Sequence, residues 1–365
     1  MILLFVDPIT TDDHFRYLWD GKVQSEGLNP YKFSPSELSL LHDDPLYPRV
    51  PYPETKTIYP PASQIIFFLS YNLFGASAFG LKIFYLLFEA GIIIFLYQTL
   101  KLIKINSNYI LLYAFSPLVI FEFFINAHID VLILFFIVGS IYFAIKKNVN
   151  LSMLFLGLSV MCKVYSLILL PVYMIYFFRR RTDTSAFFLS TVFFIVPFSL
   201  LLFYSDGIYN IFSQFSYYLK FWQFNNLPFT AINYFLELFG IRSFTTVRAI
   251  LLVLFFCSYV YILFSKLNLI PKIYLTLFTY LFFSSTVHPW YLTVLVLLLP
   301  LQFNFSVYYW SGIIVLTNIS VYYYLKDKEW FDITAVLLVQ YIMLIIFLIY
   351  DFKNIKSKIS HAQIE

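Results

Sequence analysis

Residues 7–21 read Asp-Pro-Ile-Thr-Thr-Asp-Asp-His-Phe-Arg-Tyr-Leu-Trp-Asp-Gly, and they open a polar, proline-studded stretch that closes at Tyr59-Pro60-Pro61. Beyond residue 62 the chain is dominated by apolar runs. This contrast decides the fold class. The chain is predicted to be an all-α polytopic membrane protein with a large first loop, residues 7–78, in front of a bundle at 79–350. An ordered loop of that size beside a membrane bundle needs a reason. The strongest one is chemistry at the membrane surface on a lipid-borne substrate.

Composition agrees. Of 365 residues, 61% are hydrophobic and 12% charged, with a mean hydropathy of +0.78. Soluble domains rarely exceed about half apolar residues, and apolar runs of about 20 residues read as membrane-spanning helices. Spans are expected at 79–100, 108–125, 128–145, 150–162, 164–178, 185–204, 245–265, 270–286, 289–302, 306–324 and 331–350, a bundle of about 11 transmembrane segments. Several of these are short and suit re-entrant or tilted pieces buried in protein. Pro60-Pro61 suits the start of a juxtamembrane helix over 62–74 that ends at Gly75. Residues 1–6 are apolar but too short to span. They read as the remnant of a first transmembrane helix, or as an interfacial anchor.

Lys and Arg set the orientation. With the acidic loop outside, the inside connections carry Lys101 and Lys104, Lys146 and Lys147, Arg179, Arg180 and Arg181, Lys266 and Lys272, and a cytoplasmic tail, 351–365, with Lys353, Lys356 and Lys358. The outside connections carry fewer: Lys220, Arg242, Arg248, Lys326 and Lys328. A second external loop falls at about 205–244. No basic stripe of the kind that reads nucleic acid is present. Cys162 and Cys257 both fall in apolar segments and read as inert core thiols.

Four groups of residues stand out, each with a plain alternative. Asp12, Arg16 and Asp20 share a helical face, which also describes ordinary surface ion pairs. Glu122, Asn126 and Asp130 lie four apart at the end of a span; ionisable groups at that depth are costly and usually functional, although a polar cluster can simply lock two helices. Lys163, inside Met161-Cys162-Lys163-Val164, needs an anion, and a lipid phosphate fits; it can also snorkel. His288-Pro289-Trp290-Tyr291 interrupts an apolar run with rings that can stack on a sugar or anchor at an interface. There is no CxxC, HExxH, Walker or GxSxG pattern. Without a nucleotide-binding fold, chemistry outside the cytosol requires a donor already activated on lipid.

At these residues the chain resembles the GT-C superfamily of polytopic glycosyltransferases, and within it the bacterial polyprenyl-phosphate-mannose-dependent mannosyltransferases. The similarity rests on Asp12 to Gly21 followed by Gly27-Leu28-Asn29-Pro30-Tyr31, on Tyr59-Pro60-Pro61, on Asn126-Ala127-His128-Ile129-Asp130, on Lys163 and on His288 to Tyr291. It spreads over about residues 7–300. The resemblance implies an acidic base in the first external loop, with Asp12 and Asp13 both open for that role. Arg16 and Lys163 would hold the donor phosphate. Asp20, Tyr59, Asn126, His128, Asp130, His288, Trp290 and Tyr291 would bind substrate. A divalent cation near Asp12 and Asp13 is left open as a cofactor. The implied donor is a polyprenyl-phosphate sugar, most simply mannose. The acceptor is a glycan, lipid or protein outside the cytosol, and the setting is the cell membrane with its lipids, with no nucleic acid. The rivals are a transporter or lipid-linked sugar flippase, which should show related halves with matching broken helices, and a non-catalytic scaffold. Under the enzyme reading, Asp12, Asp130, Lys163 and His288 should line one cavity.

Overall fold

The computed structural model describes residues 2–180, 184–327 and 333–361. Met1, Arg181, Lys328 and the tail end 362–365 lie outside the described residues. The described chain is all-helical, with one isolated parallel bridge, Phe224 to Thr286.

The first loop folds as two helices joined by turns. Helix α1 (Asp13–Ser25) starts where the Thr11 hydroxyl accepts the Asp13 backbone N–H at 3.2 Å. Helix α2 (Pro61–Phe74) opens on the expected proline and stops at Gly75, whose φ of +64° suits a residue without Cβ. The two helices touch at Gly21. A Cβ there would stand 2.4 Å from the Phe67 carbonyl oxygen and 2.9 Å from Tyr71 Cβ. Gly21→Ala is therefore expected to separate α1 from α2 and destabilise the loop by about 1–3 kcal/mol, read as a lower melting temperature in detergent.

Helix α3 (Ala78–Leu102) is capped by the Ser77 hydroxyl and, at about 1.5 Å per residue, outreaches a hydrocarbon core about 30 Å thick. The short α4 (Leu111–Ala114) and α5 (Pro117–Ile120) follow, and α5 runs into a π-turn, Phe121–Ile125. Next come α6 (Asp130–Ile145), α7 (Val149–Val160), α8 (Leu170–Arg179), α9 (Thr184–Ile195), α10 (Asn210–Phe221), α11 (Leu227–Leu238), α12 (Phe244–Phe264) and α13 (Leu269–Phe283). The chain ends with α14 (Thr293–Val296), α15 (Phe305–Ile313), α16 (Asn318–Asp327) and α17 (Thr334–His361).

Four helical segments are long and apolar enough to cross a membrane: Ala78–Leu102, Phe187–Tyr204, Phe244–Phe264 and Thr334–Lys353. A fifth is Ser107–Ala114 with Pro117–Ile125, bent by 50°. The chain is a membrane protein with four to five such spans among the described residues. Other expected spans are apolar but short: Asp130–Ile145, Val149–Val160, Val164–Arg179 and Leu269–Phe283. The run 289–302 breaks into a turn and α14, and Leu292 to Leu299 are buried against protein rather than facing outward. Such irregular backbone is tolerated at membrane depth because neighbouring helices cover it. Cys162 is buried as expected, whereas Cys257 is exposed on the outward face of α12 and is not a core thiol.

Helix α12 separates two ends of the bundle. Near its start, Arg248 donates to the Trp222 carbonyl at 3.2 Å. At its far end Arg179 donates to the carbonyls of Phe264 and Ser265, and Lys272 to that of Leu263. The run from Arg248 to Phe264 places these contacts about 24 Å apart along the helix. The first loop joins the Trp222 end: Lys32 pairs with Asp206 at 2.6 Å, Asn210 donates to the Tyr31 carbonyl at 2.8 Å, and Tyr52 meets Trp222 edge-on at 4.8 Å. Residues 7–61 and 205–226 therefore form one polar cap, and the basic connection at Arg179 lies at the opposite end.

Candidate active site

A cavity of about 680 Å³ opens under this cap. Asp12, Asp13 and Arg16 come from the start of α1, Lys163 from the break after α7, and His288, Trp290 and Tyr291 from the turn after α13. The rim is aromatic, with Tyr52, Trp222 and Tyr324. Tyr59 also lines the wall, held by Tyr31, whose hydroxyl donates to the Tyr59 carbonyl at 2.6 Å.

Asp13 sits at the inner end of the acidic pair, its side chain 29% exposed. Burial beneath the surrounding helices, reinforced by the nearby carboxylates of Asp12 and Asp130 and opposed by Lys163, pushes its carboxyl up to about 7. Asp12 is the N-cap residue of α1, and its side chain does not cap the helix.

The two cations are held from behind by buried carboxylates. Asp130 receives Lys163 Nζ on both oxygens at 2.7 Å. The Lys163 ammonium also lies 5.3 Å from the centre of the Tyr291 ring. Arg16 donates through Nε to Asp20 at 2.9 Å and through Nη1 to the Thr55 carbonyl at 2.9 Å. Its Nη2 is buried without a hydrogen-bond partner. Asp20 is in turn fixed by Gln64, whose Nε2 lies 2.9 Å away. An ammonium and a guanidinium, each anchored by a buried carboxylate and each belonging to a residue that lines the cavity, are suited to an anion with several oxygens.

The aromatic residues form a stack. Trp290 is sandwiched between His128, at 3.9 Å, and His288, at 4.3 Å and 4° from parallel, and Phe224 covers the far face of His288 at 4.9 Å. His128 is fully buried, and its Nε2 points towards Asp13 Oδ2 at 3.8 Å.

Three of the four residues expected to share one cavity, Asp12, Lys163 and His288, do line it; Asp130 does not. Together with Asp20, Asn126 and His128, it lies a layer behind the cavity wall. These four are not among the lining residues, and each contacts one that is: Asp20 meets Arg16, Asn126 meets Thr10, His128 meets Trp290 and Asp130 meets Lys163. The expected continuous face of Glu122, Asn126 and Asp130 is also corrected. The π-turn ends at Ile125, Ala127 takes a φ of +58°, and Asp130 starts a new helix directed at Lys163. Glu122 and Asn126 do stay together, with Asn126 Nδ2 donating to Glu122 Oε2 at 3.0 Å. Sequence reasoning missed Tyr52, Tyr165, Tyr280 and Tyr324 in the lining. In a chain with 31 Tyr and 45 Phe, an aromatic residue is no signal by itself.

Among known families, residues 2–179 match the model of the alpha-(1->6)-mannopyranosyltransferase N-terminal domain, the MptA_B family. The N-terminal half of this chain is a mannosyltransferase-family domain. The protein is accordingly a glycosyltransferase. No curated protein and no solved structure matches the chain. The mannosyltransferase-family domain supplies Asp12, Asp13, Arg16, Lys163 and the residues behind them. Trp222, His288, Trp290 and Tyr291 come from beyond it, so the cavity wall is completed by the second half of the chain. Among the described residues no group of three or more His, Cys, Asp or Glu is placed to hold a metal ion, so nothing here supports the divalent cation.

Proposed function

We propose that this protein transfers mannose from a polyprenyl-phosphate donor to a glycan acceptor outside the cytosol. The observation that carries this reading is one cavity lined together by Asp12, Asp13, Arg16 and Lys163, in a chain whose N-terminal half belongs to a mannosyltransferase family. The matched family's description suggests an α-(1→6) linkage. The polar cap and the opposed basic connections favour a cavity open to the extracytoplasmic side. The short apolar helices would complete the remaining crossings as broken or tilted segments.

In the proposed reaction Asp13 is the base. An acceptor hydroxyl attacks the anomeric carbon of the donor sugar and gives its proton to Asp13 as the new bond forms. The bond from that carbon to phosphate oxygen breaks, and the electron pair leaves with polyprenyl phosphate. The positive charges of Arg16 and Lys163, both lining the cavity, offset the charge that builds on the leaving group. Asp12 lines the same wall and orients the acceptor. The edge of Trp290, whose two faces are covered by His128 and His288, and the ring of Tyr291 give the same cavity an aromatic wall for a sugar.

The carboxylate is the active form of a base, so activity is present above its pKa and fades as pH falls through it. The profile of kcat/KM is expected to show an ascending limb near pH 7, where an ordinary Asp would place it near 4. The function itself is tested with purified protein and lipid-linked mannose, glucose and arabinose donors against short mannosides. Transfer from the mannose donor supports the reading. Facilitated movement of the donor across vesicles without transfer would favour the flippase instead.

A further inference from the structure

We infer that Glu122, acting through His128, is a positioning residue that sets the basicity of Asp13. This rests on the reading of Asp13 as the base.

One chain of hydrogen bonds links Thr10, Asn126, Glu122 and His128. The Thr10 backbone N–H can only donate, and it meets Asn126 Oδ1 at 3.2 Å. This fixes the Asn126 amide, whose Nδ2 then donates to Thr10 Oγ1 at 2.8 Å and to Glu122 Oε2 at 3.0 Å. Glu122 Oε2 is thereby an acceptor. The same oxygen lies 2.8 Å from His128 Nδ1; as an oxygen of an ionised carboxylate it can only accept there, so the imidazole carries its proton on Nδ1. His128 Nε2 is left with a lone pair. It is fully buried, has no hydrogen-bond partner, and faces Asp13 Oδ2 at 3.8 Å. That separation suits two acceptors held apart by the fold. Stacking on Trp290 prevents the ring from turning away.

A lone pair in that place disfavours the Asp13 carboxylate and receives the O–H of the acid. As Asp13 takes the acceptor's proton, the repulsion is relieved, and a shift of Oδ2 by about 1 Å towards Nε2 turns the contact into a hydrogen bond. The interaction is therefore stronger late in the reaction than at its start, which is the condition for catalytic benefit. Other titratable groups bear on the pair: Asp12, His14 and Tyr17 from α1 and its start, Tyr52 and Tyr59 from the turns before α2, Asp130 from α6, Lys163 from the break after α7, and His288 from the turn after α13. None of these touches His128 Nδ1, which only Glu122 addresses.

The test compares pH profiles of Glu122→Leu, Glu122→Gln and Asp13→Asn. Gln at 122 keeps an oxygen for the Nδ1 proton and should keep the wild-type limb. Leu frees the tautomer, so His128 can put its proton on Nε2 and stabilise the carboxylate. The ascending limb should then move down by about one unit, and kcat fall about tenfold, with the donor KM unchanged. His128→Phe, which keeps the stack on Trp290, should move the limb the same way if the Leu variant does not fold. Isotope-labelled histidine NMR of the wild-type protein should find His128 neutral and protonated on Nδ1. An unmoved limb in a folded Leu variant, an upward move, or an Nε2-protonated His128 overturns the inference. If Asp13→Asn is inactive while the Leu limb stays put, only this inference fails. If Asp13→Asn keeps full activity, the assignment of the base fails with it.

Discussion

Asp13→Asn should lower kcat by about 10²–10⁴-fold, the usual contribution of a positioned general base, while donor binding and folding persist. The change is isosteric and removes the proton acceptor alone. No salt bridge shorter than 3.8 Å to Asp13 occurs among the described residues, so little structure depends on its charge. Its carboxylate is also held against its preference by burial and by Asp12 and Asp130, so removing that charge should raise the melting temperature at pH 8 slightly. Lost turnover together with equal or greater stability is a signature of a catalytic group in place of a structural one. Full turnover in a folded Asp13→Asn variant would move the role of base to Asp12. Initial rates with saturating donor, alongside thermal unfolding in detergent, decide the matter.

Lys163→Met is expected to have a comparable effect on turnover and the opposite effect on stability. The ammonium is both the proposed electrostatic partner of the leaving phosphate and the partner of buried Asp130. Loss of one preorganised charged donor at a developing anion costs about 10²–10³-fold in kcat. Leaving Asp130 uncompensated costs about 3–5 kcal/mol. The double variant Lys163→Met with Asp130→Asn separates the two effects. It should recover much of the lost melting temperature and none of the lost turnover. If it recovered activity as well, Lys163 would be a helix lock and the phosphate would be held elsewhere.

Much of the architecture could be read along the chain. The polar front, the proline start of α2, its stop at Gly75 and the long apolar helices all rest on local rules of helix start, helix stop and hydropathy, which neighbouring residues alone satisfy. The four groups of candidate residues were legible because charge inside an apolar run is conspicuous. Their layering was not. Asp20, Asn126, His128 and Asp130 look like substrate ligands in a one-dimensional view, and each sits behind a residue that lines the cavity: Arg16, Thr10, Asp13 and Lys163. Whether a side chain faces a cavity or a neighbour depends on which helix is packed behind it. The helical face drawn through Glu122, Asn126 and Asp130 failed for a related reason. The π-turn and the left-handed Ala127 bend the chain between them, and no proline or glycine within that stretch announces the bend.

By itself the sequence determined that this is a helical membrane protein with an acidic first loop, because hydropathy and charge act residue by residue. Tertiary structure alone decided which of the candidate residues reach the cavity, which buried carboxylates anchor its two cations, and that residues beyond 220 close a site begun at residue 10. Those properties depend on burial and distance between segments more than a hundred residues apart. The packing of α1, the π-turn and the His288 turn around one space creates them.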